Sequence, residues 1–435
     1  MRECNVALYG CGTVGAGVAA ILLGRRGALA RRLDARPKLR YVVDMRLDHV
    51  SGEMNFPETV ELTDELERPL QDPDVDVVVE LFGGIDAARG VVREALEAGK
   101  DVVTANKALL ARHGEELYAL ARKEGQCIAF EASVAGGIPI ISSVRNAMVG
   151  ERIQSVYGIV NGTCNYVLTR MSEQGFAYRR ALLEAQEKGY AEADPTLDVE
   201  GHDSAHKLAV LARLAFGKDV NEDDIYCEGI SNVEPADIQY ARSLGYTLKL
   251  LAIGIAREEG LELRVHPALL RHDHPLAAVK GAYNTVCVHG DSLGEVILTG
   301  PGAGRWPTAS AVVGDVCRLA LGTYQQEFAR LTAFGEVESA DVIPLEQIRA
   351  RYYFRLSCLD RPGVLAGVAG VLGNHGISIA SCIQQGEGSE EQQFVPVVFM
   401  THRAKEGALQ KALSEINEID CIDGEKTRML RVQEI

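Results

Sequence analysis

Several features are scarce in this sequence, and each scarcity excludes a class of protein. No stretch reaches 18 uncharged apolar residues, so no segment reads as a membrane-spanning helix. Residues 1–12, MRECNVALYGCG, have no separate apolar region and no small-residue cleavage site, so they do not read as a signal peptide. Positive charge is in deficit: 45 Lys and Arg face 61 Asp and Glu, a formal charge of −16. That field opposes non-specific binding to nucleic acid or an anionic membrane, and an anionic substrate would need local basic groups. The ten cysteines are scattered and none forms CxxC, which argues against a zinc ribbon or thioredoxin-like site. Ten thiols without a secretory signal point to a reducing, cytoplasmic setting. Repeats and low-complexity segments are lacking too.

What remains is ordinary globular composition over 435 residues, 47% hydrophobic and 24% charged, enough for two to four domains. Strands read at residues 4–9, 39–43, 75–81, 101–104 and 127–131, and helices at 14–23, 87–98 and 113–124. The basic run 25–38 reads as an exposed helix or loop. Strands alternating with helices predict a parallel, doubly wound α/β sheet. After residue 131 the pattern turns to helices at 178–188, 205–216 and 237–244, then strands at 246–256, 261–265 and 282–288, a second α+β domain. GPGAG at 300–304 begins a return segment ending in a helix over 310–322. From residue 351 a late strand–helix–strand unit reads as a separate small domain.

Gly10, Gly12 and Gly15 of GCGTVG sit between a strand and a helix. The first permits a tight turn, the second lets backbone approach a pyrophosphate, and the third lets helix pack on strand. Free N–H groups at the helix start favour phosphate. Asp44 ends the second strand, where an acid bonds the ribose hydroxyls of NAD and repels a 2′-phosphate. Arg40 and Arg46 lie close in sequence, so the reading leans to NAD and leaves NADP open. Lys107, in TANKALL, follows a parallel strand at its carboxyl end, where open α/β sheets bind ligands.

The densest polar segment is YAEADPTLDVEGHDSAHKLAVLA, holding Glu192, Asp194, Asp198, Glu200, Asp203 and Lys207. Asp203 and Lys207 are four apart and share a face if the helix starts by residue 203. A helix N-terminus disfavours the lysine charge and the carboxylates favour it, a balance suited to proton transfer. A surface ion pair explains the spacing equally well. His202 and His206 have the spacing of zinc ligands, but no third ligand is evident.

GCGTVG, TANKALL, EASVAGGIPII, NGTCNYVLTRM, GYAEADPTLDVEGHDSAHKL and GPGAG, in that order, resemble homoserine dehydrogenase in its monofunctional form with a C-terminal ACT domain. The resemblance implies reversible NAD(P)H-dependent reduction of aspartate semialdehyde to homoserine, within threonine and methionine biosynthesis. It implies that Lys207 donates the proton to the carbonyl oxygen and that Lys107 contacts both substrate and cofactor. It assigns Glu192 to the substrate amino group, with Asp198 and Asp203 supporting substrate and lysine. Thr13, Val14 and Gly302 match cofactor contacts. Glu131, Val134, Gly136 and Ile138 match a monovalent-cation (sodium) site. Val43 stands where members that prefer NADP often carry Arg. The expected organisation is a Rossmann-type nucleotide domain at 1–130 completed by about 304–330, a catalytic and dimerisation domain at 131–303, a linker at 331–350, and a ferredoxin-like ACT regulatory domain at 351–435. The expected assembly is a homodimer or homotetramer, with threonine as effector and Asp360, Gly363 and Asn374 as candidate effector positions. Two rival readings are a phosphorylating aldehyde dehydrogenase using Cys164 and an amino-acid sensor without chemistry.

Overall fold

The computed structural model describes residues 2–384 and 394–435. The chain forms two compact units, Met1–Gly162 with Asp203–Ile225 and Ala282–Ala340, and Thr163–His202 with Tyr226–Gly281 and Asp341–Ile435.

In the first unit, β1 (Arg2–Tyr9), β2 (Ala35–Val43), β3 (Glu61–Thr63), β4 (Val77–Glu80), β5 (Asp101–Thr104) and β6 (Ile128–Ala129) form a six-stranded sheet in the order β3-β2-β1-β4-β5-β6. Every pairing in it is parallel. Parallel strands are covered on both faces, so their residues are buried without alternation, as in Val77–Glu80. The strand order reverses between β1 and β4. Such a reversal opens a crevice beyond the carboxyl ends of the strands, where doubly wound folds bind ligands.

Strand β2 begins at Ala35 rather than at 39 and takes in Pro37 and Lys38. The extension is tolerated because β3 pairs only with Tyr41–Val43, leaving the first part of β2 as an edge. An edge is where a proline costs least. The rest of the basic run forms the helix Arg26–Arg32, with no buried residue. The helix expected at 113–124 starts at Lys107, six residues earlier, because the Asn106 side chain caps it by accepting the Leu109 N–H. It ends at Gly125 in the left-handed conformation, φ 71°.

The return helix, Arg305–Leu321, lies against the first helix, Thr13–Gly24. Contact is close enough that a Cβ on Gly17 would stand 2.9 Å from both Ala309 Cβ and the Arg305 carbonyl. The same unit holds three antiparallel strands, Ile153–Ile159, Tyr283–Gly290 and Gly294–Pro301, and the helix His202–Phe216.

The second unit contains the long hairpin Tyr246–Ala256 and Leu261–Arg271. The run expected as a strand at 261–265 is thus extended to Arg271. Residues 349–432 form a strand (Arg349–Leu359), a helix (Val364–Asn374), strands Ile379–Gln384 and Phe394–Thr401, a helix (Glu406–Asn417) and a strand (Arg428–Val432). Arg428–Val432 pairs with the first of these strands, the first with Phe394–Thr401, and that with Ile379–Gln384, all antiparallel. This is a ferredoxin-like unit. Its inward positions alternate along the first strand, Tyr352, Phe354, Leu356 and Cys358, and meet Val368, Leu372, Leu409 and Ile416 of the two helices. Phe354 stacks on Phe399 with ring centroids 4.9 Å apart. Among the described residues, no single helix is long and apolar enough to cross a membrane.

Candidate active site

The Gly-rich turn is built as its spacing requires. Gly10 takes φ 90°, and a Cβ there would lie 2.9 Å from the Leu81 carbonyl. A Cβ on Gly15 would lie 2.0 Å from the Gly10 oxygen, whereas Gly12 has open space around it. No side chain caps the helix that starts at Thr13, so the ends of its first N–H groups are left for a ligand. Thr13 is exposed and Val14 half-buried beside this opening. The Asp44 carboxylate accepts the Cys11 N–H at 2.8 Å and the Arg46 N–H at 2.9 Å, fastening the turn to the end of β2. Arg40 is committed elsewhere, to Asp72 at 2.8 Å. Gly302 is packed so tightly that a Cβ would meet the Asn284 amide at 2.0 Å, and its carbonyl lies 2.3 Å from the Cβ position of Gly136. These features fit a dinucleotide.

Within the same unit one carboxylate gathers both lysines. Asp203 Oδ2 accepts from Lys207 Nζ at 2.6 Å, and Asp203 Oδ1 lies 3.2 Å from Lys107 Nζ. Asn161 Nδ2 donates to Oδ2 at 2.9 Å, and Lys207 Nζ also donates to the Val160 carbonyl at 2.7 Å. The helix starts at His202, which places Asp203 and Lys207 one turn apart on its first two turns. The pair is buried rather than on the surface, with side-chain exposures of 12% and 9%. Burial alone would raise the Asp203 pKa. The charges of Lys207 and Lys107 and the hydrogen bonds outweigh it, and hold the carboxyl well below the usual range.

His206 on the same helix faces Glu222, with Nε2 2.9 Å from Oε2, and Arg112 donates to the other oxygen of Glu222 at 2.6 Å. Burial lowers the His206 pKa more than Glu222 and Asp203 raise it. His206 of HDSAH is therefore a partner of Glu222.

Sequence reasoning missed Glu80, at the end of β4. It is fully buried, accepts the Thr104 hydroxyl at 2.6 Å and the Phe82 N–H at 3.1 Å, and stands level with Thr104 in the parallel register. Burial pushes its carboxyl up to about 7, against the pull of these two bonds. The only signal in the sequence was an acid at the carboxyl end of an apolar strand.

Glu192 and Asp198 belong to the second unit. Glu192 is exposed. The Thr163 hydroxyl donates to the Tyr190 carbonyl at 2.5 Å, and its oxygen lies 3.2 Å from Asp198 Oδ2. Cys164 is buried, with its thiol donating to the Asp198 carbonyl at 3.1 Å. A fully buried thiol that donates to a carbonyl lacks the exposure of a nucleophile.

Glu131 accepts the Ile141 N–H at 2.9 Å and the Ser142 N–H at 3.0 Å, and pairs with Arg318 at 3.0 Å. Buried Asp315 accepts the Glu131 N–H at 2.8 Å and pairs with the same Arg318. Burial pushes Asp315 up to about 6 against the attraction of Arg318. Glu131 and Asp315 thus share the Arg318 guanidinium. Among the described residues, no group of three or more His, Cys, Asp or Glu side chains is placed to hold a metal ion. In the turn that follows Glu131, Ala135 and Gly136 take φ 53° and 52°.

A doubly wound sheet, an open Gly-rich turn and two lysines gathered on one buried carboxylate together define a nicotinamide-nucleotide-dependent dehydrogenase. Residues 10–131 match the family described as homoserine dehydrogenase, NAD binding domain; residues 139–317 match homoserine dehydrogenase, and 352–421 match the ACT domain. A homoserine dehydrogenase of Neisseria gonorrhoeae is 40% identical, with 100% of both chains covered. The crystal structure of a homoserine dehydrogenase from Thiobacillus denitrificans superposes with a TM-score of 0.93 at 39% identity, covering 100% of this chain and 99% of that one. A hyperthermophilic archaeal homoserine dehydrogenase in complex with NADPH gives a TM-score of 0.63 at 27% identity, covering 74% of this chain and 98% of that one. The chain belongs to the homoserine dehydrogenase family, and is an oxidoreductase with a nucleotide-binding domain, a catalytic domain and a C-terminal ACT domain.

The Asp203 cluster carries a prediction. Asp203→Asn leaves two lysines without their shared counter-charge and should cost about 3–5 kcal/mol at neutral pH. A carboxyl with a depressed folded pKa contributes fully above its unfolded value near 4 and loses that contribution as pH falls through the folded value. Denaturant titrations should therefore show the variant's deficit shrinking below about pH 4. A deficit independent of pH would contradict the assignment.

Proposed function

We propose that the chain reversibly reduces L-aspartate 4-semialdehyde to L-homoserine, a step toward threonine and methionine, with Lys207 as the acid. The observation that carries this reading is the Asp203 carboxylate held between Lys207 and Lys107. When bound, the nicotinamide supplies the hydride. As the aldehyde carbon gains that electron pair, its π pair moves to oxygen, and the Lys207 ammonium donates a proton there. Two of the three ammonium hydrogens of Lys207 go to Asp203 and Val160, and the third is available to the substrate oxygen. Lys107 stabilises the developing negative charge. In the oxidative direction Lys207 takes the alcohol proton. Glu192 receives the substrate amino group, and Asp198 and Asp203 support substrate and lysine, on the strength of the family resemblance. Residues 1–130 with about 304–330 serve the nucleotide, 131–303 catalysis and dimer formation, 331–350 as linker, and 351–435 regulation.

Lys207→Ala should lower kcat by roughly two to four orders of magnitude while leaving nucleotide affinity nearly unchanged. A near-wild-type kcat would refute the role.

NAD serves at least as well as NADP, because Asp44 closes β2 beside the Gly-rich turn and Arg40 is held by Asp72. Asp44→Ser should shift kcat/KM toward NADP. A strong wild-type preference for NADP would overturn the reading and point to Arg46. The same assays in sodium and in choline, at one ionic strength, test the cation beside Glu131; equal rates in both would remove it.

Threonine is the proposed effector of the ACT unit. Asp360, Gly363 and Asn374 are exposed at the loop after its first strand and at the two ends of the following helix. That helix also exposes Leu365, which suits pairing with a second copy. Coupling requires threonine to prefer one arrangement of the paired subunits over another. Threonine titration of the full chain and of a truncation after residue 345 should inhibit only the former, and sedimentation of the full chain should show a dimer or tetramer. Equal response in both chains, or a monomer, would contradict the proposal.

A further inference from the structure

Glu80 belongs to none of the groups assigned above, yet it touches both loops that border the nucleotide crevice. Its Oε2 accepts the Thr104 hydroxyl at 2.6 Å, and Thr104 Oγ1 in turn accepts the Asn106 N–H at 2.9 Å. Asn106 then caps the helix whose first residue is Lys107. On the other side, Oε1 accepts the Phe82 N–H at 3.1 Å. The Leu81–Phe82 backbone is the surface against which Gly10 is fitted, with a Cβ there 2.9 Å from Leu81 and 3.0 Å from the Phe82 nitrogen. A second tie closes the gap farther out, from Asn106 Nδ2 to the Gly84 carbonyl at 2.8 Å.

We propose that Glu80 is a positioning residue that sets the spacing between the Gly-rich turn and Lys107, by clamping the loops after β4 and β5 through one buried carboxyl. The part of the proposal concerning Lys107 rests on the role given to that lysine above; the part concerning the nucleotide does not. A buried acid costs folding free energy by desolvation, and an apolar residue would fill the site without that cost. The two oxygens of Glu80 serve both loops at once, one accepting the Thr104 O–H and the other the Phe82 N–H. Glutamine offers one acceptor and one donor. It keeps the bond to Phe82 while forcing the Thr104 hydroxyl to reverse. Alanine leaves a hydroxyl and an N–H unpaired.

The test compares Glu80→Ala, Glu80→Gln and Thr104→Val in the full chain, with NADH fluorescence titrations without substrate, steady-state kinetics and thermal melts, all at one temperature well below the lowest Tm. Losing a buried hydrogen bond of this kind corresponds to roughly a five- to fiftyfold change in an equilibrium. Glu80→Ala should weaken NADH binding by about that factor and lower kcat. Glu80→Gln should recover most of the binding. Thr104→Val, which cuts only the branch toward Lys107, should lower kcat with little change in NADH affinity. If Glu80→Ala fails to fold, the other two variants decide. Wild-type NADH affinity and kcat in every folded variant, with only Tm reduced, would overturn the proposal. Lys107→Ala is run beside them: wild-type kcat there would remove the role of Lys107, while the NADH titrations would still judge Glu80.

Discussion

One buried carboxylate shared by two ammonium groups is the constraint around which this part of the first unit is arranged. Asp203 is the counter-charge that brings the part-exposed Lys107 and the largely buried Lys207 together. The two ammonium groups thus meet at one carboxylate. That suits a reaction in which negative charge appears on an oxygen. The arrangement also explains the neighbours. Asn161 satisfies the carboxylate from the end of the strand Ile153–Ile159, and the Val160 carbonyl orients the Lys207 ammonium.

The three elements that meet here come from distant parts of the chain. Lys107 begins a helix after β5, Val160 and Asn161 follow an antiparallel strand, and Asp203 and Lys207 open the helix His202–Phe216. Each is placed by local chemistry, an Asn cap or a strand end, rather than by a flexible loop. The proposed roles require precision of this kind, because a catalytic group displaced by about 1 Å loses much of its effect. The nucleotide side is held by the same kind of economy. Gly10, Gly15 and Gly17 remove the side chains that would otherwise separate the turn, the first helix and the return helix.

The ACT unit follows different physics. Its four-stranded antiparallel sheet buries one face under two helices, and its core is a conventional apolar cluster around Phe354 and Phe399. Polar contacts tie it into the second unit. Arg431 pairs with Glu406 and Glu228 at 2.6 Å each, and Arg355 with Asp237 at 2.7 Å. The strand Arg428–Val432 also pairs with the hairpin at Ala268 and Leu269. A ligand acting on the ACT sheet would thus act on the elements beside it through packed backbone rather than through a loose tether.

The Gly-rich turn, the alternation of strands with helices and the Asp203–Lys207 spacing were all legible in the sequence, because each depends on contacts between residues near in the chain. Spacing of three or four residues sets a helix face, and GxGxxG after an apolar strand sets a turn. The ferredoxin-like unit was legible for the same reason, from its first strand, turn and helix. What only the tertiary structure decided were meetings between distant residues. The sequence left the pair of Asp203 and Lys207 equally readable as a surface contact; burial by the surrounding chain made it a charge cluster, and brought in Lys107 from 96 positions away. Strand β2 reached back to Ala35 because its early part lacks a neighbour on one side. Glu80 was unreadable because its meaning lies in Thr104 and Phe82, and a hydrogen bond across parallel strands leaves no period in the sequence.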